Sequence, residues 1–301
     1  MGGMTNRDIA LVGYGEVGRI FGAGLAKSGA ASVRAFDVKV ADAAWAEMAR
    51  ARAKSDGVTL MPDAASATAS ASLVICAVTA AKAGHAAAKI AKACRAGALV
   101  LDVNSASPGT KRASAALVES AGAHYVEAAI MNAVPPQGMR VPMLLGGPRA
   151  KEALPVLQAA GFNPSIGSEE LGTVSAIKLC RSVVMKGIEA LVVESLLAAR
   201  RYGVEREVIA SLRESYPGLD WEKLPTYVWT RVLQHGARRA EEMRESAVTV
   251  REAGLEPRMA SATAELQSWF AGLRASGVFE GLAKDAAWVD MAEKIKGSDP
   301  N

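Results

Sequence analysis

Three glycines, Gly13, Gly15 and Gly18, stand in the order G-x-G-x-x-G within the turn Gly13-Tyr14-Gly15-Glu16-Val17-Gly18. That spacing suits the pyrophosphate of a dinucleotide. The first glycine permits a tight turn, the second lets backbone approach the phosphates, and the third lets helix pack on strand. The helix that follows offers free N–H groups and a partial positive charge to the same anion. Two further clusters could do chemistry. One is the run Asp102-Val103-Asn104-Ser105-Ala106-Ser107-Pro108. The other is the set Lys178, Arg181, Ser182, Lys186 and Glu189, whose offsets place it on one face of a helix. Cys180, Val184, Gly187 and Leu191 fall roughly opposite.

The glycine motif draws its weight from context. The apolar run Ile9 to Val12 precedes it, a helix follows, and a second strand, Ser32 to Phe36, ends at Asp37. A carboxylate about twenty residues beyond the last glycine is placed to bond the adenosine ribose hydroxyls. It also repels a 2′-phosphate, so NAD is favoured and NADP is the alternative, with Arg34 and Lys39 close enough to soften the preference. At the end of the run Leu73 to Val78, Val78 and Thr79 are coenzyme candidates, and so is Asn104 after Leu99 to Val103. Capping before a proline at the first helical position accounts for Ser107, but not for Asn104 and Ser105.

Strands without polar alternation, separated by helices over 42–54 and 82–94, predict a parallel sheet covered on both faces. Residues 124–149 read as a strand, a Pro/Gly loop and a returning strand. A helix over 149–160 and a short strand near Ser165-Ile166 complete the sheet. Residues 169–202 contain no proline and predict a long helix capped by Ser168 with Glu169 and Glu170. Beyond it, shorter helices broken at Pro217, Pro225, Pro257 and Gly277 predict an all-α lobe. The expected division is 1–167 and 168–301. On this reading the polar face of the long helix looks into a cleft rather than into water.

Half of the 301 residues are apolar, enough for a sizeable core, and 35 basic residues against 31 acidic leave little net charge. No basic run is interleaved with aromatics, which argues against a nucleic-acid partner. Three cysteines without metal-ligand spacing argue for thiols in a reducing cytoplasm and against a metal site. No apolar run is long enough for a signal peptide or a membrane span.

Taken together, LVGYGEVGRIFGAGLAKSG, DVNSASP, EAAIMNAVP and GTVSAIK occur in an order that resembles the β-hydroxyacid dehydrogenases, the family of the 3-hydroxyisobutyrate and 6-phosphogluconate dehydrogenases. The resemblance covers both lobes and is nearest to the phosphogluconate dehydrogenase-like branch whose long helix reads K-x-x-R-S. It implies a Rossmann-type doubly wound sheet, an all-α C-terminal domain joined by a long inter-domain helix, and a homodimer. It implies hydride exchange between a nicotinamide coenzyme and a small hydroxy carboxylate. Lys178 then stands at the catalytic lysine as general acid/base, Ser105 and Asn132 position the substrate, and Arg181 and Ser182 lie beside it.

Some positions depart from the family pattern. Gly24 replaces a usual asparagine, Met131-Asn132-Ala133 replaces a Ser-Gly-Gly loop, and Ser182 replaces an asparagine. Met185 stands where decarboxylating members carry a glutamate, so 6-phosphogluconate decarboxylation is not expected, although Glu189 lies one turn on. The rival readings are an imine or keto reductase of the same fold, and a protein that binds NAD without turning over a substrate. His235, Arg238, Arg239 and Glu242 share a helix face and read as a surface charge patch.

Overall fold

Short apolar runs alternating with helices govern the first half of the chain. The computed structural model, which describes residues 7–296, gathers those runs into one eight-stranded sheet. The first half runs β1 (Asp8–Val12), α1 (Glu16–Lys27), β2 (Ser32–Phe36), α2 (Ala43–Ser55), β3 (Thr59–Leu60), α3 (Ala64–Thr68), β4 (Leu73–Cys76) and α4 (Ala83–Ala91). It continues with β5 (Leu99–Asp102), α5 (Pro108–Ser120), β6 (His124–Ile130), the single turn α6 (Val134–Gln137), β7 (Pro142–Gly146), α7 (Ala150–Ala159) and β8 (Asn163–Ser168). The strand order is β3-β2-β1-β4-β5-β6-β7-β8. Only β6 and β7 pair antiparallel. Their connection is too short for the crossover helix a parallel pair needs.

The central strands β1, β4, β5 and β6 are buried on both sides, as their apolar runs required, whereas the edge strands β3 and β8 are largely exposed. Ile9, Leu11 and Ile75 face one core layer with Phe21, Leu25 and Phe162. Ala10, Val12 and Val74 face the other with Ile90, Val118 and Tyr125.

The chain divides into two compact units, Met1–Leu179 and Cys180–Asn301, so the division falls inside the long helix rather than at its start. That helix, α8 (Thr173–Tyr202), begins four residues later than the sequence suggested. Ser168 accepts the N–H of Glu170 and does not cap the helix. The second unit adds α9 (Glu205–Ser215), α10 (Leu224–Glu252), α11 (Arg258–Ala275) and α12 (Trp288–Lys296). Pro225 sits in the first turn of α10, where its missing N–H costs nothing, so it opens a 29-residue helix instead of breaking one. Trp229, Phe270 and Trp288 centre the core of this unit, Trp229 meeting Phe270 edge-on at 5.6 Å.

The polar stripe of α8 is turned inward over the second unit. Ser182, Lys186 and Glu189 are buried, whereas Cys180, Val184 and Leu191 on the apolar side are exposed. Helix α10 explains the inversion, because it presents charges of opposite sign at matching spacing. Lys186 pairs with Glu242 at 3.0 Å and donates to Ser182 Oγ at 3.1 Å. Glu189 pairs with Arg239 and, at 3.4 Å, with Arg231. Arg239 is therefore a core residue and not part of a surface patch. Burial holds the Lys186 ammonium below its usual pKa, against the opposing pull of Glu242. Such buried pairs add little net stability, but losing one partner costs about 3–5 kcal/mol because a charge is left bare.

Candidate active site

The sheet changes direction of growth between β1 and β4, and ligands of open α/β sheets bind beyond the carboxyl ends of strands at such a point. The three glycines there have separate jobs. Gly13 has φ +102°, and a Cβ on it would lie 2.1 Å from the carbonyl oxygen of Ala77. A Cβ on Gly18 would lie 2.0 Å from the carbonyl oxygen of Gly13. A Cβ on Gly15 would meet no other part of the protein within 4 Å, so the second glycine borders open space. Gly15 is also the N-cap of α1 and supplies no side-chain cap, which leaves the first N–H groups of α1 for an anion. The cradle fits a pyrophosphate. Glu16 is exposed and Val17 half-buried in that first turn.

Asp37 holds this turn in place. Its Oδ2 accepts the Tyr14 N–H at 2.9 Å, and its Oδ1 accepts the Lys39 N–H at 3.0 Å. A carboxylate has lone pairs left after those two bonds, so it can still accept from ribose hydroxyls. Tyr14 contributes backbone only, since its ring is buried and its hydroxyl donates to Asp56 at 3.3 Å. Burial, then Asp56, push that phenol well above its usual pKa.

On the other side of the switch point, β4 is followed by Ala77, Val78 and Thr79, and β5 by Val103, Asn104 and Ser105. Thr79 is exposed and Ser105 half-buried. Asn104, expected to touch the coenzyme, has its side chain engaged elsewhere. Its Oδ1 accepts the Val78 N–H at 2.7 Å and its Nδ2 donates to Cys76 Sγ at 3.2 Å. The amide is a strut between two strand ends.

Lys178 is placed by a group the sequence reading missed. Glu127 on β6 is fully buried, and its Oε1 accepts the N–H groups of Gly172 at 2.8 Å and Val174 at 3.3 Å. Ser175 Oγ donates to the other oxygen at 2.5 Å. A carboxylate from the sheet thus caps α8 and complements its dipole. The lone acid in the apolar run HYVEAAI was the available signal. Gly172 adopts φ +95°, and a Cβ there would lie 3.0 Å from Pro108 Cβ, so α8 starts against the first residue of α5. The Ser105–Pro108 loop and the opening of α8 are neighbours. Lys178, half-buried, follows within the next two turns.

Asn132 is exposed after β6. In the same loop Met139 lies against α1, with Sδ 2.1 Å from where a Cβ on Gly24 would stand. That contact accounts for glycine in place of asparagine at this position. Arg181 is exposed, and Ser182 is buried, its Oγ accepting from Lys186 inside the second unit. Among the described residues, no group of three His, Cys, Asp or Glu side chains could hold a metal ion.

Residues 8–165 match the NAD binding domain of 6-phosphogluconate dehydrogenase, and residues 199–270 match a domain of unknown function, DUF1932. No curated protein matches the chain. A conserved hypothetical protein from Sinorhizobium meliloti 1021 is 35% identical over 97% of this chain and 96% of its own, with a TM-score of 0.75. The 3-hydroxyisobutyrate dehydrogenase of Mycobacterium tuberculosis, solved with L-serine, is 20% identical over 97% and 99%, with a TM-score of 0.71. An imine reductase from Myxococcus stipitatus, solved with NADP+, is 16% identical over 89% and 94%, with a TM-score of 0.53.

The glycines give a test of the cradle. Gly15→Ala should fold with an unchanged melting temperature yet bind NADH at least about tenfold more weakly, because a methyl group would fill the space the phosphates need. Gly13→Ala should instead lower the melting temperature, since φ +102° and the Ala77 carbonyl both exclude a side chain. Thermal melts paired with NADH titrations would reveal the difference; equal behaviour of the two variants would refute it.

Proposed function

We propose, from the premise that the chain belongs to the family of the NAD binding domain of 6-phosphogluconate dehydrogenase and carries a DUF1932 domain after it, that it moves a hydride between a nicotinamide coenzyme and a small hydroxy acid. The observation that carries this reading is the capped start of α8 beside the Ser105–Pro108 loop, with Lys178 in the turns that follow. A nicotinamide coenzyme held by its pyrophosphate at the glycine turn would supply the hydride acceptor or donor. Lys178 takes the proton from the substrate hydroxyl during oxidation and returns it during reduction. Ser105 and Asn132 hold the substrate, and Arg181 offers a planar fork for its carboxylate.

The coenzyme preference in this reading is NAD. Asp37 places a carboxylate at the end of β2, and Arg34 is drawn aside to Ser70. Decarboxylation of 6-phosphogluconate is excluded from the proposal. Met185 replaces the glutamate that would complete the acid/base pair, and Glu189 is buried against Arg239. Reduction of an imine is the second reading, since an imine reductase shares the fold; the retained Lys178 favours alcohol chemistry. No helix among the described residues is long and apolar enough to cross a membrane, and Cys76, Cys94 and Cys180 are free thiols that suit a reducing compartment.

We also infer a homodimer. Val184 and Leu191 are 60% and 56% exposed, and Ile188 between them is also exposed, one apolar ridge on the longest helix. A two-fold interface would cover that ridge with its own copy.

A panel of small hydroxy acids and one cyclic imine, followed by NADH absorbance, tests the reaction. Lys178→Met should lower turnover of the best hydroxy acid about 10²–10⁴-fold with coenzyme affinity unchanged. Turnover of the imine alone, or a fully active Lys178→Met enzyme, would contradict the proposal. In sedimentation equilibrium the native chain should be a dimer and Val184→Glu with Leu191→Glu a monomer; a native monomer would sink the second inference.

A further inference from the structure

Beneath the strand ends past the switch point, a connected group of buried polar side chains underlies the Asn104 strut. Asp102 is the last residue of β5, Lys111 lies in the first turns of α5, and Tyr125 is on β6; all three are buried. Lys111 Nζ pairs with Asp102 Oδ1 at 2.9 Å and donates to the Asp102 carbonyl at 3.0 Å. The Tyr125 hydroxyl donates to Asp102 Oδ2 at 2.7 Å, and the Asn104 N–H donates to Oδ1 at 2.9 Å. Both carboxylate oxygens are therefore used, and Asn104 carries the connection on to Val78 and Cys76.

An ion pair this deep is a poor way to gain stability, because apolar side chains of the same volume would do as well or better. What it provides that apolar packing does not is direction. Each hydrogen bond fixes the next, so the Asn104 amide is held in one orientation and the Val78 N–H is held to it. These are the two strand ends on the far side of the switch point from Gly13–Gly18 and Asp37. A dinucleotide laid across that point puts its adenosine half over β1 and β2 and its nicotinamide half over β4 and β5.

We propose that Lys111, Asp102 and Tyr125 are positioning residues for the coenzyme, holding Asn104 as the strut that sets the spacing of Val78–Thr79 and Asn104–Ser105 for the nicotinamide half alone. The proposal deepens the coenzyme assignment and does not depend on Lys178 acting as acid/base.

Two probes separate the halves of the site: NADH, and ADP-ribose, which lacks the nicotinamide ring. Both are titrated into the full-length chain and into Lys111→Met, Tyr125→Phe and Lys111→Arg. Lys111→Met should bind NADH about tenfold more weakly, the factor that about 1.4 kcal/mol of lost hydrogen bonding represents. Its ADP-ribose affinity should stay within about twofold of the native value, since the adenosine side is untouched. Lys111→Arg should recover most of the NADH affinity. If Lys111→Met does not fold, Tyr125→Phe removes one hydroxyl and no charge, and should show the same selective loss, smaller in size. Equal weakening of both probes would make the group merely structural and overturn the proposal, as would unchanged NADH binding. A native chain that bound neither probe would overturn it together with the coenzyme assignment.

Discussion

Glu127 keeps its carboxylate wholly out of water on an otherwise apolar strand, and it is tolerable there only because the N-terminus of α8 comes to it. A bare carboxylate in such a place would cost several kcal/mol. Two backbone N–H groups, one hydroxyl and the positive end of a 30-residue helix offset that cost. The dependence is mutual, since the first N–H groups of α8 have no partners within the helix. Neighbouring strands make room for the join. A Cβ on Gly146 would meet Glu127 Oε1 at 2.5 Å, and one on Gly167 would meet Val174 at 2.8 Å. The lysine that the proposed chemistry needs is thereby tied to the sheet that binds the coenzyme.

Past Leu179 the same helix serves a different purpose. Its polar face is consumed by ion pairs to α10, and its apolar face is left outside. That is the reverse of an ordinary amphipathic surface helix, and charge matching between α8 and α10 accounts for it. Ser182 and Glu189, which lie on the same face as Lys178, are buried in this interior.

Much of the first unit was legible because its signals are local. The βα alternation, the turn at Gly13–Gly18 and Asp37 all depend on spacing along the chain. The antiparallel pair β6–β7 was readable from the short Pro/Gly loop between two apolar runs. What escaped were pairings across distance. Nothing near Asn104 in sequence says that Val78, 26 residues away, will occupy its side chain. Nothing near Thr173 says that Glu127, rather than Ser168, caps the helix. The inversion of α8 was hidden for the same reason, because a stripe of Lys, Arg, Ser and Glu that reads as facing a cleft does not reveal the charges of α10 that meet it. Lys111 gave no sign at all, being one basic residue near the start of a helix.

The coenzyme turn, the strut behind it and the capped helix converge on the carboxyl ends of β1, β4, β5 and β6. We infer that this convergence puts Lys178 at the reacting hydroxyl. A crystal structure of the chain with NAD and a small hydroxy acid bound would test it most directly. The hydroxyl of the acid should lie within hydrogen-bond reach of Lys178 Nζ, about 2.6–3.2 Å. An ordered hydroxy acid beside the coenzyme with Lys178 Nζ out of reach, and another side chain on the hydroxyl, would contradict it.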